Sequence, residues 1–196
     1  MGHSQADKAA SRERVLRIAS RKVRAEGVTR PGIAELMQEA GLTHGGFYKH
    51  FASRDDLIAQ AATRALTEGS AKMENAARKN EQEPATGLID AYLAQRHRDA
   101  PATGCALVTL GADAGRGDRQ LKDAYEKQVR AYLDLIAGMD DDAEEARAEA
   151  MLTLSALVGA MLMSRAVADP AFSDELLGTV ADRLKRRRPR AAEPAA

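Results

Sequence analysis

Residues 31–51 hold two short apolar stripes separated by only three residues, Gly41-Leu42-Thr43, and few folds accept such a pair. In the first stripe Ile33, Leu36, Met37 and Ala40 recur at helical spacing. Pro31 and Gly32 open it without harm to a helix start, and Gly41 ends it. In the second, His44-Gly-Gly-Phe-Tyr-Lys-His-Phe51, the four-residue spacing of Phe47 and Phe51 turns both inward. Tyr48, Lys49 and His50 are left outside, and Thr43 is in position to cap the segment. Two short helices joined by a Gly-containing turn of this length are the geometry of a helix-turn-helix, whose second helix enters a DNA groove.

Gly45 and Gly46 each cost about 1 kcal/mol against alanine in a helix, and packing alone calls for neither. Their smallness makes sense if the start of this helix must come very close to another surface. Exposed amides there suit a phosphate, and Lys49 adds charge. Ahead of the pair, Val15, Ile18, Ala19 and Val23 predict a helix over 12–26, stopped by Gly27. Arg14, Arg17, Arg21 and Lys22 make its wet side basic, which fits either a solvated face or a polyanion contact.

Charge arithmetic bears on that choice. The 196-residue chain is neutral overall, with 29 Lys+Arg and 29 Asp+Glu. Residues 1–54, however, carry 10 basic and 5 acidic side chains, residues 55–180 carry 13 and 22, and residues 181–196 carry 6 and 2. The neutral total therefore hides a basic front on an acidic body, a polyanion-binding head joined to something with another task.

Over Gly27 to Leu57 the chain resembles the DNA-binding domain of the TetR family of bacterial transcriptional regulators. That family's pattern is a helix ending in Ala-Gly, a small hydrophobic residue, Ser or Thr, variable residues, then an aromatic or Leu, Tyr, any residue, His or Tyr, and Phe. A short polar turn and a long helix beginning with a basic residue, an acidic residue, any residue and Leu follow. Here these are Ala40-Gly41, Leu42, Thr43, Phe47, Tyr48, His50, Phe51, Ser53, Arg54, Asp55 and Leu57. The likeness covers about the first third of the chain. One departure is Pro31-Gly32, where the family usually has a Ser or Thr that caps the second helix and touches a phosphate. Backbone amides near Ile33 remain as donors, with Thr29 and Arg30 as the neighbouring polar groups.

The resemblance implies an all-α fold of about nine helices. A three-helix DNA-binding domain spans 1–53, a ligand-binding and dimerisation domain spans 54–188, and a flexible tail covers 189–196. Its implied DNA-contact set is Thr43, His44, Gly45, Gly46, Tyr48, Lys49, His50 and Arg54. It further implies a repressor that binds a palindromic operator as a homodimer and is released by a small-molecule inducer.

Residue patterns fill in the body. Ser53 caps a long helix from Arg54 to about Met73, and Lys79 to Pro84 is the clearest loop. Leu88, Ile89, Tyr92, Leu93 and Arg96 predict one amphipathic helix ending near Pro101, and Gly104 to Leu110 a short one broken by the small residues 111–117. Leu121 to Ile136 predicts a long helix ending at Gly138, and Asp140-Asp141-Asp142 a cap for another running to Val167. Ser173 starts the last helix, and Arg183 to Arg190 reads as a solvated tail. The last two helices hold more apolar surface than one packing face needs, which in a chain of this size points to a second copy.

Tyr92, Gln95, Arg96, Cys105, Tyr125, Tyr132 and Met161, with Met163, are the candidate inducer contacts, since they combine apolar bodies with a few polar tips. Cys105, behind Gly104 at a helix start, is either a small buried hydrophobe or a thiol reactive toward electrophiles and oxidants. That leaves an alternative reading, a small-molecule-binding or redox-sensing helical protein that uses Cys105. One Cys excludes an internal disulfide and a Cys-based zinc site. The four His have no metal-ligand spacing, and no phosphate loop or nucleophile motif appears, so neither an enzyme nor a cofactor is expected. No stretch approaches 18 consecutive apolar residues and no signal core opens the chain, so a cytoplasmic protein without a membrane partner is expected.

Overall fold

The computed structural model describes residues 5–139 and 143–187. Among them are nine α-helices, two short 3-10 turns and no strand. The cap expected at Asp140 to Asp142 and the tail 189–196 lie outside the described residues. The chain forms two compact units, residues 1–68 with 101–126, and residues 69–100 with 127–196.

The first unit opens with α1 (Gln5–Glu26), which starts earlier than the apolar pattern predicts because Gln5 to Ser11 are ordinary helix-compatible residues. It buries Val15, Ala19 and Val23. Gly27 ends it at φ +84°, a left-handed conformation that only glycine adopts freely. Helix α2 (Ile33–Glu39) buries Leu36 and Met37. It closes in a Schellman turn, with Leu42 N–H on the Met37 carbonyl (2.9 Å), Gly41 N–H on Gln38 (3.0 Å) and Gly41 at φ +70°.

His44–Lys49 is a 3-10 turn rather than the expected α-helix. Two glycines cannot sustain a helix whose next residues, His50 to Ser53, leave helical geometry before α3 (Arg54–Arg78) begins. Thr43 takes the N-cap position with extended backbone, but its hydroxyl makes no cap bond. Ser53 does cap α3. Its Oγ accepts the Asp56 N–H at 3.0 Å while Asp56 Oδ2 accepts the Ala52 N–H at 3.1 Å. A 3-10 turn at Pro101–Thr103, α6 (Ala106–Arg116) and the start of α7 (Arg119–Ala137) complete this unit. Helix α6 runs straight through the small residues expected to break it. Gly111 is needed for packing, since a Cβ there would lie 3.1 Å from the Tyr125 hydroxyl.

The second unit holds the ends of α3 and α7 with α4 (Pro84–Tyr92), α5 (Gln95–Arg98), α8 (Ala143–Ala166) and α9 (Pro170–Arg187). The single helix expected from Leu88 to near Pro101 is two. Ala94 is extended (ψ 144°), and the Tyr92 carbonyl is met by His97 Nδ1 at 2.5 Å instead of continuing the helical ladder. Helix α9 begins at Pro170, not Ser173: Asp169 caps the Ala171 N–H at 2.9 Å, and proline loses nothing at the first helical position. Ser173 is one turn inside, donating to the Ser164 carbonyl at 2.7 Å and accepting from Arg98. Gly69 of α3 faces Tyr132, whose hydroxyl lies where any Cβ would be, at 2.2 Å. Tyr132 is accordingly buried against the helix backbone.

Residues Glu145–Ala166 of α8 are long and apolar enough to cross a membrane by length and mean hydropathy (1.3), contrary to the expectation of no such stretch. Interspersed Ser, Thr and Gly had hidden it from a count of consecutive apolar residues. Helix α8 is a partly buried core helix of its unit, with Leu154, Leu157, Ala160 and Met161 inside.

Candidate nucleic-acid interface

The turn His44–Lys49 stands on a rigid base. Phe47 is fully buried, and its ring stacks on Phe51 with centroids 5.7 Å apart. Those two anchors leave Tyr48 at 69% exposed, with Thr43, His44, Gly45 and Lys49 also exposed. Gly45 is open in a literal sense, because a Cβ built there meets nothing within 4 Å. Gly46 is closer in, 3.5 Å from Thr43 Oγ1 and 3.7 Å from Met37 Cε.

His50 ends the turn and is only half-exposed. Its Nδ1 is buried without a hydrogen-bond partner, and its carbonyl accepts Arg12 Nε at 3.3 Å. Burial first, then the charges of Lys8, Arg12 and Lys49, push its imidazole below the ordinary pKa. Arg54 is occupied elsewhere: its guanidinium donates to the carbonyls of Val28, Thr29 and Pro31 at 2.9 to 3.3 Å, holding the α1–α2 connection. Gly32 is the extended N-cap residue of α2 and, having no side chain, leaves the first amides of α2 uncapped.

Several residues that fix this base carry no signal in hydrophobic periodicity. Lys22 donates to Glu35 at 2.6 Å and pairs with Glu39, tying α1 to α2. Arg14 reaches the Ala40 carbonyl at 3.1 Å. Asp113 of α6 accepts the Val28 N–H at 3.0 Å and fills the space beside Gly27. Arg24, 4% exposed, donates to the Ala65 and Ala102 carbonyls and to Glu68. These are long-range polar contacts, and only the fold brings their ends together.

The candidate inducer contacts divide between the units. Cys105 is buried at the N-cap of α6, and in the same unit Tyr125 donates to the Leu107 carbonyl at 3.2 Å. Burial, and after it the charge of Cys105, raises the Tyr125 phenol above its ordinary pKa. In the other unit Tyr92 is buried edge-on to the His97 ring at 4.7 Å, Tyr132 and Met161 are buried, and Gln95 and Arg96 are exposed on α5. Met163 is 45% exposed on α8.

No protein-family model and no curated protein matches the chain. Solved structures do. A TetR transcriptional regulator from Chloroflexus aurantiacus J-10-FL superposes with a TM-score of 0.77 at 17% identity, over 93% of this chain and 98% of that one. A TetR-family regulator from Cytophaga hutchinsonii gives 0.75 at 15% identity, over 95% and 98%. The reduced form of NemR from E. coli gives 0.73 at 19%, over 90% and 97%. At these identities the likeness is one of fold, and it extends far beyond the helix-turn-helix. From the turn at Gly41 to the α8–α9 pair, the chain has the fold of the TetR-family transcriptional regulators.

Proposed function

We propose that the chain is a DNA-binding transcriptional regulator, a repressor that docks on a palindromic operator as a homodimer and is released by a small molecule. The observation that carries this reading is the exposed edge of the 43–50 turn. Tyr48 and Lys49 project from a buried Phe47–Phe51 base, and Gly45 leaves the backbone bare. A bare backbone flanked by a phenol and an ammonium is what close approach to a groove and its phosphates needs. Thr43, His44, Gly46 and His50 complete the contact set, with Arg54 positioning the connection beneath them. The solved structures that it resembles are transcriptional regulators, which supports the same reading and argues against an enzyme. A cytoplasmic location follows from that work.

The test is binding to duplex DNA from the chain's own upstream region. Sequence-specific binding that weakens with salt is expected, with Lys49→Ala about tenfold weaker and its melting temperature unchanged. No salt-dependent binding by the wild type would end the proposal.

The dimer reading rests on the outer face of α8 and α9. Met151, Leu152, Leu162, Met163 and Phe172 are all 44–48% exposed, and Gly159 meets nothing where a Cβ would be. On α8 these residues fall at i, i+7/8 and i+11/12, one stripe along the helix. An isologous contact repeats each substitution twice, so Leu162→Glu places two uncompensated carboxylates in one interface. Sedimentation equilibrium is expected to show association weakened by about a hundredfold or more, without loss of helicity. An unchanged dimer would locate the interface elsewhere. The candidate inducer contacts are Cys105 and Tyr125 in the first unit and Tyr92, Gln95, Arg96, Tyr132 and Met161 in the second, and inducer binding is proposed to bias the position of α3 and so the spacing of the two heads.

A further inference from the structure

Resting on the DNA-binding reading above, we propose that Lys8 of α1 joins Lys49 and His50 in a seat for one phosphodiester of the duplex, next to the groove-facing turn. Nothing in the sequence pattern marks Lys8, which lies in the stretch of α1 ahead of its apolar stripe.

The placement comes from Arg12. Its Nε meets the His50 carbonyl, its guanidinium lies 5.0 Å over the Phe51 ring, and its Nη2 donates to Gln60 at 2.6 Å. Two of these contacts pin this turn of α1 against the end of the 44–49 turn, and the third ties it to α3. Lys8 is one helical turn ahead of Arg12, so both share a face of α1. Lys8, Arg12 and Lys49 all act electrostatically on the His50 ring and, after burial, lower its pKa.

Among the described residues no carboxylate pairs with Lys8, Arg12 or Lys49. Asp56, the acid on the facing stretch of α3, accepts the Ala52 N–H and Gln60 Nε2 and is in no ion pair with these three cations. The fixed positive charge of the seat comes from the two exposed lysines and Arg12, and Arg12 is held in place by its own contacts. Like charges gathered without a counter-ion repel, and an arriving phosphodiester relieves that repulsion. Lys8 thus contributes to affinity without reading sequence.

The test is the salt dependence of duplex binding, measured by fluorescence anisotropy on the upstream duplex and on a mixed-sequence duplex. Lys8→Gln is expected to lower the slope of log K against log salt by about 0.9 per protomer on both duplexes. Lys8→Arg keeps the wild-type slope, as does Lys122→Gln on α7. Inorganic phosphate at constant ionic strength is expected not to compete, because the seat takes a phosphodiester held by neighbouring contacts; competition would overturn the assignment to DNA. A wild-type slope in Lys8→Gln, beside a reduced slope in Lys49→Gln, overturns the role of Lys8 and leaves the DNA-binding reading intact. Absence of salt-dependent binding in the wild type overturns both. Lys8 is exposed, so an unchanged melting temperature in all variants excludes a folding effect.

Discussion

Gly45→Leu is expected to leave the fold as stable as the wild type, or slightly more so, and to abolish operator binding by about a hundredfold or more. The two halves of that result have separate causes. In the free chain a Cβ at position 45 meets nothing within 4 Å, and Gly45 is not among the glycines with positive φ, which are Gly27 and Gly41. A Cβ therefore meets neither a neighbour nor backbone strain, and replacing glycine removes part of its entropic cost. In the complex, four heavy atoms would stand between the backbone and the DNA. Gly46→Ala is a useful companion, since its Cβ would make ordinary contacts with Thr43 and Met37. A melting curve with anisotropy on the upstream duplex separates the effects, and wild-type affinity in Gly45→Leu would show that this turn does not face DNA closely.

The second large effect concerns stability. Arg24→Met is expected to cost about 3 kcal/mol, read as a lower urea midpoint with unchanged slope. Arg24 joins α1 to α3 and to the turn at Pro101–Thr103 through Ala65, Glu68 and Ala102, and its Nε is buried without a partner. Methionine fills the space of the stem but satisfies none of those acceptors. Arg24→Lys is expected to recover only part of the loss, because one ammonium cannot span what the guanidinium fork reaches. A small loss in Arg24→Met would mean that the surrounding packing holds these elements without the cation.

The same cluster sets an acid limit. Burial raises Glu68, but hydrogen bonds from Arg24 and Arg64, with their charges, outweigh it and hold the carboxyl below its ordinary pKa of 4.5. The unfolded chain thus binds the proton more readily than the folded one. The contribution of Glu68 is full above its unfolded pKa and is lost as pH falls through the lower folded value. Arg24→Met should weaken this acid dependence without removing it, since Arg64 still pairs with Glu68. Urea midpoints from pH 6 down to pH 3 measure the difference.

Much of the fold was legible wherever one residue type answers to one local rule. Gly27 and Gly41 had to end helices, Phe47 and Phe51 had to point inward, and Ser53 had to cap α3, because each depends on atoms within a few residues of itself. The misreadings occurred where a distant partner overrides local preference. Small residues 111–117 looked like a break, yet Gly111 is small for the sake of Tyr125, fourteen positions later in the chain. Leu88 to Arg96 looked like part of one helix ending near Pro101, yet it breaks at Leu93–Ala94, where His97 meets the Tyr92 carbonyl.

What the sequence determined by itself is therefore the helical class, the helix-turn-helix and the uneven charge along the chain, since periodicity, capping and charge are properties of short segments. Only the tertiary structure decided which cations are structural and which are available. Arg24 and Arg54 are consumed by carbonyls brought from elsewhere in the first unit, while Lys8 and Lys49 remain exposed without a carboxylate partner among the described residues. A positive charge reads the same in any sequence. Whether it meets an acceptor inside the protein or waits for a phosphate outside depends on where the fold places the acceptors.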